Sequence, residues 1–499
     1  MLGTRAPARA RTPRQRSRRQ APPPLPATRP TRRADAAMLL VLLAAFATRM
    51  WHLGWKSLWL DEGISVTFAA DGPPRLFEVL IERDIHPPLY YLTLWGWTRV
   101  GGSGETSLRF PSVLVGVLLV ALLYRLAGQL RPGPAGRATG LLAASLATFS
   151  PFLIYTSQEA RMYGALAAAG LGATIALRWA LEARRPGALT RWGLYALAMA
   201  VPPYLHHFGW MIFAFHGAFL ALASWRYRAR ALPWLGAAAL AALAYLPWLG
   251  PLARQVARLR DTPDFWQGAL SLWFVAQHVF AAFAVGALLI AWHGLLRGRT
   301  DDLLLILYLV LPTAILYAIV ARNPKFADRY LIVALPAFLL LLARGVVGIG
   351  EVGLRLRGRL RPAGLAAAGL AGVLALGLVA VSYREGMRVY DDEAYAKEDY
   401  RGAVDFLIRH WQSGDAVLLM LDSYQVFDYY SHGKLTRIGL NPTDDLEFAA
   451  RELNRVVEKG HPRLWVLMWN PDWADPSGAV RAMLDETLER LPLELDSFR

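Results

Sequence analysis

Leu89-Tyr90-Tyr91-Leu92-Thr93-Leu94-Trp95-Gly96-Trp97-Thr98-Arg99-Val100 is the stretch on which the topology turns. Counted as a membrane span, it moves every later loop to the opposite side. Counted as a helix lying along a surface, it leaves those loops in register. It has only about a dozen residues, whereas a helix needs about 20 to cross hydrocarbon. The arginines give the same answer. The connections at 125–137, 184–191, 226–230, 297–299 and 355–361 are basic, and residues 1–35 carry ten Arg. Basic connections stay in the cytoplasm. Only the surface-helix reading puts them all on one side, so 89–100 is expected to lie within one long external loop, 54–108.

Outward from that loop, apolar segments recur at 37–53, 109–127, 138–155, 162–181, 190–204, 208–224, 231–249, 270–296, 302–321, 330–349 and 363–382. They read as eleven spans, with limits set to within a few residues. The 499 residues are 55% hydrophobic and only 18% charged, with 18 Trp, so an ordinary soluble protein is excluded. The formal charge of +16 is uneven. Residues 383–499 hold 22 acidic and 14 basic groups, and residues 1–382 hold 16 acidic and 40 basic. The basic excess therefore reports membrane orientation, and no nucleic-acid partner is expected. There is no cysteine, which excludes disulfides, thiolate metal sites and a Cys nucleophile.

The expected fold is a mainly α membrane protein of about eleven transmembrane helices. Its long first external loop carries interfacial helices, and a small C-terminal α/β domain lies outside. Residues 1–35, rich in Arg, Pro and Ala without apolar periodicity, read as a disordered, solvated cytoplasmic tail; no small-residue cleavage site favours a signal peptide. Residues 36–382 form the transmembrane domain. In 383–499, the runs 416–421 and 464–468 read as short buried strands, and 400–411, 446–458 and 479–491 as amphipathic helices. No phosphate loop or nucleotide fingerprint occurs there.

On this topology six polar stretches share the external face: Asp61-Glu62, His86-Pro87-Pro88, 158–163, His206-His207, 323–330 and the acidic C-terminal region. Asp61 and Glu62 follow the first span among tryptophans of the membrane interface. A carboxylate partly withdrawn from water suits proton abstraction from an attacking hydroxyl; a helix cap or solvated pair is the competing reading. Pro87-Pro88 fits the first turn of the surface helix and would set His86 at its mouth. Arg322, Lys325 and Arg329 are cations on the side where such residues are sparse, so an anion such as a lipid phosphate is expected to compensate them. Arg109 and Arg161 would serve similarly or pair with the acids. His206-His207 diverge on a helix with no carboxylate spaced to complete a site, so neither a metal nor another cofactor is expected.

In order, these pieces resemble the integral-membrane glycosyltransferases of the C-type fold. They are most similar to the family of dolichyl-phosphate-mannose protein mannosyltransferases and bacterial lipid A aminoarabinose transferases. The resemblance rests on Leu60-Asp61-Glu62, His86-Pro87-Pro88-Leu89-Tyr90-Tyr91, Arg109-Phe110-Pro111-Ser112, Ser157-Gln158-Glu159-Ala160-Arg161-Met162-Tyr163 and Arg329-Tyr330-Leu331, across about 37–345. Lys397-Glu398-Asp399-Tyr400-Arg401 and Gly414-Asp415 resemble the outer domain of bacterial members.

The resemblance implies inverting transfer of a monosaccharide from a polyprenyl-phosphate carrier, with Asp61 as base and Glu62 beside it in the catalytic pair. His86, Tyr90, Arg109, Gln158, Glu159, Arg161, Tyr163, His206, Lys325, Arg329 and Tyr330 are the expected substrate-binding residues, Lys325 or Arg329 meeting the phosphate. The Arg- and Ala-rich composition resembles that of bacteria and points to an undecaprenyl carrier at the outer face of the plasma membrane. Protein, lipid and glycan acceptors all occur in the family, so the acceptor does not carry over. A noncatalytic binder or flippase of lipid-linked sugars is the alternative, although transporters place ionisable groups near mid-span.

Overall fold

The computed structural model describes residues 32–183, 186–261, 300–322, 327–356, 361–420, 424–440, 458–468 and 477–491, together with 447, 450, 451, 454, 455 and 475. The expected span 270–296, Lys325, most of the helix expected at 446–458, and residues 1–31 of the tail lie outside the described residues.

The chain is mainly helical. The first helix, α1 (Arg32–Met50), leads into the long connection before the second expected span, where α2 (Leu60–Ala70), α3 (Pro73–Glu82) and α4 (Leu89–Gly101) follow. The stretch read as a surface helix is thus a 13-residue helix. It begins directly after Pro88 and ends at Gly102, whose φ of +80° is costly for any residue with a Cβ. Then come α5 (Glu105–Leu130), α6 (Pro134–Phe149), α7 (Pro151–Ser157), α8 (Tyr163–Leu181), α9 (Ala188–Leu205), α10 (Trp210–Leu222), α11 (Ser224–Tyr227), α12 (Ala231–Leu243), α13 (Leu246–Asp261), α14 (Thr300–Arg322), α15 (Leu335–Leu356) and α16 (Arg361–Asp391).

Among the described residues α5, α8, α14, α15 and α16 are each long and apolar enough to cross a membrane. Two bent pairs pass the same test jointly: α6 with α7, bent by 62°, and the stretch His207–Leu222 with Ser224–Leu243, bent by 82°. That gives five spans, or up to seven. Two more expected spans coincide with α1 and α9, which are long enough but not apolar enough to pass that test.

Leu119, Leu123 and Leu126 of α5 pack with Leu166, Leu171 and Leu177 of α8 in one continuous core. Phe215 of α10 stacks on Tyr308 of α14 at 4.2 Å. Helices α15 and α16 approach closely at Gly353, where an added Cβ would stand 2.7 Å from Gly364 O. On its other side α16 exposes Leu365, Leu370, Val373, Leu376 and Val381. A contiguous apolar stripe of that kind belongs in lipid.

The C-terminal part holds a three-stranded parallel sheet in the order β2 (Arg437–Leu440), β1 (Ala416–Met420), β3 (Leu464–Met468), with Leu418 paired to Ile438 on one side and Val466 on the other. Helices α17 (Tyr400–His410), α18 (Tyr424–Ser431) and α19 (Ala479–Thr487) accompany it. Strand β1 is central, and Ala416, Val417, Leu418 and Leu419 are all buried, as a strand covered on both faces requires. The helix expected to reach 491 ends at Thr487, because Leu488 turns to an extended conformation four residues before Pro492. Strand β2 and helix α18 were not anticipated from the sequence; α18 packs directly on α2.

Candidate active site

Asp61 and Glu62 occupy the first turn of α2, where free backbone N–H groups and the helix dipole favour carboxylates. Being adjacent, they point apart and meet different partners. Glu62 is fully buried. Arg109 of α5 grips both of its oxygens, Nε to Oε1 at 2.8 Å and Nη2 to Oε2 at 2.7 Å. The backbone N–H of Ala160 donates to Oε1 at 2.8 Å, and Lys397 Nζ stands 3.2 Å from Oε2. Burial by itself would raise the Glu62 carboxyl; the charges of Arg109 and Lys397 and the hydrogen bonds from Arg109 and Ala160 outweigh it and hold the group at about 2.

Asp61 keeps a route to solvent, its side chain 20% exposed. Two guanidiniums converge on one of its atoms, Oδ2: Arg161 Nη2 at 3.5 Å and Arg329 Nη2 at 3.4 Å. Arg161, from the turn before α8, also donates to Asp61 O at 3.2 Å and Ser65 Oγ at 3.1 Å. Arg329 lies in the 3-10 helix Asp328–Val333 and packs over Trp59 and Tyr163, 5.3 and 5.5 Å from the ring centres. Among the described residues Arg161 Nε, Arg329 Nε and Trp59 Nε1 are buried donors with no hydrogen-bond partner. Two guanidiniums on one carboxylate oxygen, with buried donors left over, give the corner spare N–H groups for the oxygens of an anion.

A second group lies beside the first. Asp84 Oδ1 accepts from His86 Nδ1 at 2.6 Å and from the His86 backbone N–H at 2.7 Å, and Tyr91 OH reaches Oδ2 at 3.4 Å. Burial would raise the Asp84 carboxyl, but the facing His86 and its hydrogen bonds bring it to about 2. The His86 ring lies 5.5 Å from that of His206, which in turn neighbours Tyr163 at 5.8 Å and Tyr330 at 6.5 Å. Burial pushes His206 well below the usual histidine range, and His86, His207, Arg161 and Arg329 add to the effect.

The structure therefore gathers Asp61, Arg161, Tyr163, His206, Arg329, Tyr330 and His86 at one corner, with Glu62, Arg109 and Glu159 immediately behind. Gln158 turns away and donates to Arg49 O at 3.1 Å and Trp51 O at 2.6 Å, closing the end of α1. Tyr90 is buried, with its hydroxyl hydrogen-bonded to Ser112. His207 contacts Ile85 O at 2.9 Å and Tyr245 OH at 3.2 Å, away from Asp61. Lys325 lies outside the described residues. No group of three or more His, Asp or Glu suited to a metal ion occurs among the described residues.

Sequence reasoning missed Asp84, Trp59 and Lys397. Asp84 had a signal, standing two residues before His86 as an aspartate that folds back on its own backbone does. Lys397 stood in a quoted motif but had no signal of a role in the site, because its partners lie more than 200 residues earlier.

The fold is the C-type fold of integral-membrane glycosyltransferases. Residues 85–250 match the family model described as dolichyl-phosphate-mannose-protein mannosyltransferase. The oligosaccharyltransferase of Archaeoglobus fulgidus, in its apo form, is similar with TM-score 0.59 and 14% identity, over 86% of this chain and 68% of that one. ArnT from Cupriavidus metallidurans in the apo state gives TM-score 0.53 at 14% identity, over 85% of this chain and 89% of that one. The same protein bound to undecaprenyl phosphate gives 0.50 at 15%, over 86% and 90%. No curated protein sequence matches.

Proposed function

We propose that the protein is a glycosyltransferase that moves a monosaccharide from a polyprenyl-phosphate carrier to an acceptor hydroxyl at the outer face of the plasma membrane, with inversion. The observation that carries this reading is the convergence of Arg161 and Arg329 on Asp61 Oδ2 beside unpartnered donors. A base and a receptor for phosphate thus stand side by side.

In this account the phosphate of the donor rests on Arg329 and Arg161, whose planar forks match its oxygens. Asp61 takes the proton of the acceptor hydroxyl. The hydroxyl oxygen forms a bond to the anomeric carbon on the face opposite the phosphate, the bond from that carbon to the phosphate oxygen breaks, and its electron pair leaves with the phosphate. The guanidiniums neutralise that charge as it develops, so no separate general acid is required. Glu62, fully buried and held by Arg109, fixes the helix turn that presents Asp61. His86 and His206 line the donor side. About eleven spans place the N-terminal tail in the cytoplasm and 383–499 outside. The family match and the ArnT complex with undecaprenyl phosphate support a prenyl-phosphate donor.

The test is release of free prenyl phosphate from a panel of radiolabelled undecaprenyl-phosphate sugars by the purified protein in lipid nanodiscs. The reading requires acceptor-dependent cleavage of at least one donor. Movement of an intact carrier across the bilayer without cleavage would establish the flippase alternative.

A further inference from the structure

Lys397 enters the site from an unexpected direction. It lies beyond the end of α16, in the segment that leads into the external domain, yet its side chain is only 5% exposed and its ammonium sits between two buried carboxylates. Nζ is 3.2 Å from Glu62 Oε2 and 3.3 Å from Glu159 Oε1. The rings of Trp59 and Tyr155 flank it at 5.7 and 5.4 Å. The segment is anchored on both sides of it. Lys56 of the first loop donates to Val389 O and Tyr395 O at 2.7 Å each, and Ser57 Oγ donates to Glu398 O at 2.7 Å. The two lysines therefore cross, each reaching into the other's segment.

Glu62 has Arg109 besides Lys397; Glu159 has less. Among the described residues its Oε1 has no hydrogen bond, and Tyr155 is its hydroxyl partner. The charged groups that face it are Lys397, Glu62, Arg329 and Asp61, two cations and two anions. We infer that Lys397 is a positioning residue of the transfer centre, its ammonium holding Glu62 and Glu159 together as anions next to Asp61, so that the external domain's leading segment completes the site.

This inference rests on the sugar-transfer reading above. Its physical content is specific. Burial pushes the Glu159 carboxyl upward, Lys397 opposes the rise and Glu62 adds to it. Without the ammonium, Glu159 takes up a proton at a higher pH. A neutral Glu159 no longer draws on Arg329, whose guanidinium then leans on Asp61 and is withdrawn from the donor phosphate. A tether that merely fastened the domain would lower activity equally at all pH values.

The experiment uses the full chain in lipid nanodiscs as wild type, Lys397→Met, Lys397→Arg and the double variant Lys397→Met with Glu159→Gln. Two quantities are read: kcat/KM against pH with an undecaprenyl-phosphate sugar, and the carbonyl stretch of a protonated carboxyl by infrared difference spectroscopy. Lys397→Met is expected to move the acid limb of the rate profile upward by about one to three pH units, the shift a nearby opposite charge produces. It is also expected to show a protonated-carboxyl band at neutral pH that the double variant lacks. Lys397→Arg, which restores the charge, should keep the wild-type profile. A wild type that turns over, beside a Lys397→Met variant with an unshifted profile and no such band, overturns the role of Lys397 alone. A wild type that cleaves no donor overturns the transfer reading, and the positioning role with it.

Discussion

Arg109 meets Glu62 through two near-parallel hydrogen bonds of 2.8 and 2.7 Å, with both side chains essentially removed from solvent. Arg109 also donates to Leu53 O, Lys56 O and Ser57 O, so one guanidinium ties the start of α5 to the loop before α2 and to the residue after Asp61. Deleting one partner leaves a buried charge without its counter-ion, a loss of about 3–5 kcal/mol. Arg109→Ala is expected to lower the thermal unfolding midpoint of the detergent-solubilised protein sharply and to abolish transfer. Arg109→Lys should rescue little, since a single ammonium cannot replace a fork that serves five acceptor atoms. Near-native stability of Arg109→Ala would contradict this assignment.

Gly63 marks where the C-terminal α/β part rests on the helix that carries Asp61. A Cβ there would stand 2.3 Å from Val426 Cγ2 and 2.9 Å from the Val426 backbone nitrogen, and backbone cannot move aside as a side-chain tip can. Gly63→Ala should loosen the domain, detected as faster protease cleavage between 391 and 424, and reduce transfer. Gly172→Ala is the control, because nothing lies within 4 Å of the Cβ it would add. Equal behaviour of the two variants would argue against a tight seat.

Arg329 is expected to act chiefly in donor binding. Losing a hydrogen bond to a charged partner costs about 1.5–3 kcal/mol, or roughly 10–100-fold in affinity. Arg329→Ala should therefore raise KM for the prenyl-phosphate donor by that factor, and added salt should weaken donor binding less in the variant than in wild type. An unchanged donor KM would remove Arg329 from the phosphate site.

Acid should weaken the site from two points at once. Glu62 and Asp84 are each held at about 2 in the folded protein, below the ordinary 4.5 and 3.8. Depressed carboxyls contribute stability that is complete above the ordinary values and is lost as pH falls toward about 2, where the unfolded chain binds more protons than the folded one. Glu159, shifted upward, works in the opposite sense and offsets part of the loss. The thermal midpoint is expected to fall steadily below about pH 4.5, and Glu62→Gln should flatten the decline. A midpoint constant between pH 5 and 3 would contradict the charge assignments.

The membrane part of this fold was legible because its signals are local. Apolar length gave the helices, Pro87-Pro88 marked the start of α4, and the alternation of basic loops made a shared face for the polar loops an expectation. The corner around Asp61 followed from the same bookkeeping, since 158–163 and Arg329 had to lie on that face as well. What stayed hidden was side-chain direction. Gln158, three residues from Arg161, points back to Arg49 and Trp51. Glu62, beside Asp61, turns into a buried ion pair because adjacent helical residues diverge by about 100°. The role of Lys397 was hidden for another reason: only tertiary packing of the segment after α16 brings it to Glu62, and no spacing rule reaches that far.

Asp61→Asn isolates the role of the carboxylate as base, because the amide keeps the shape of the side chain while removing its capacity to accept a proton. Wild type and variant would be compared in lipid nanodiscs by single-turnover release of radiolabelled prenyl phosphate, with donor binding measured on the same samples. Transfer is expected to fall by at least about 100-fold while donor affinity is retained or improved. Turnover within a few fold of wild type would show that Asp61 is not the base.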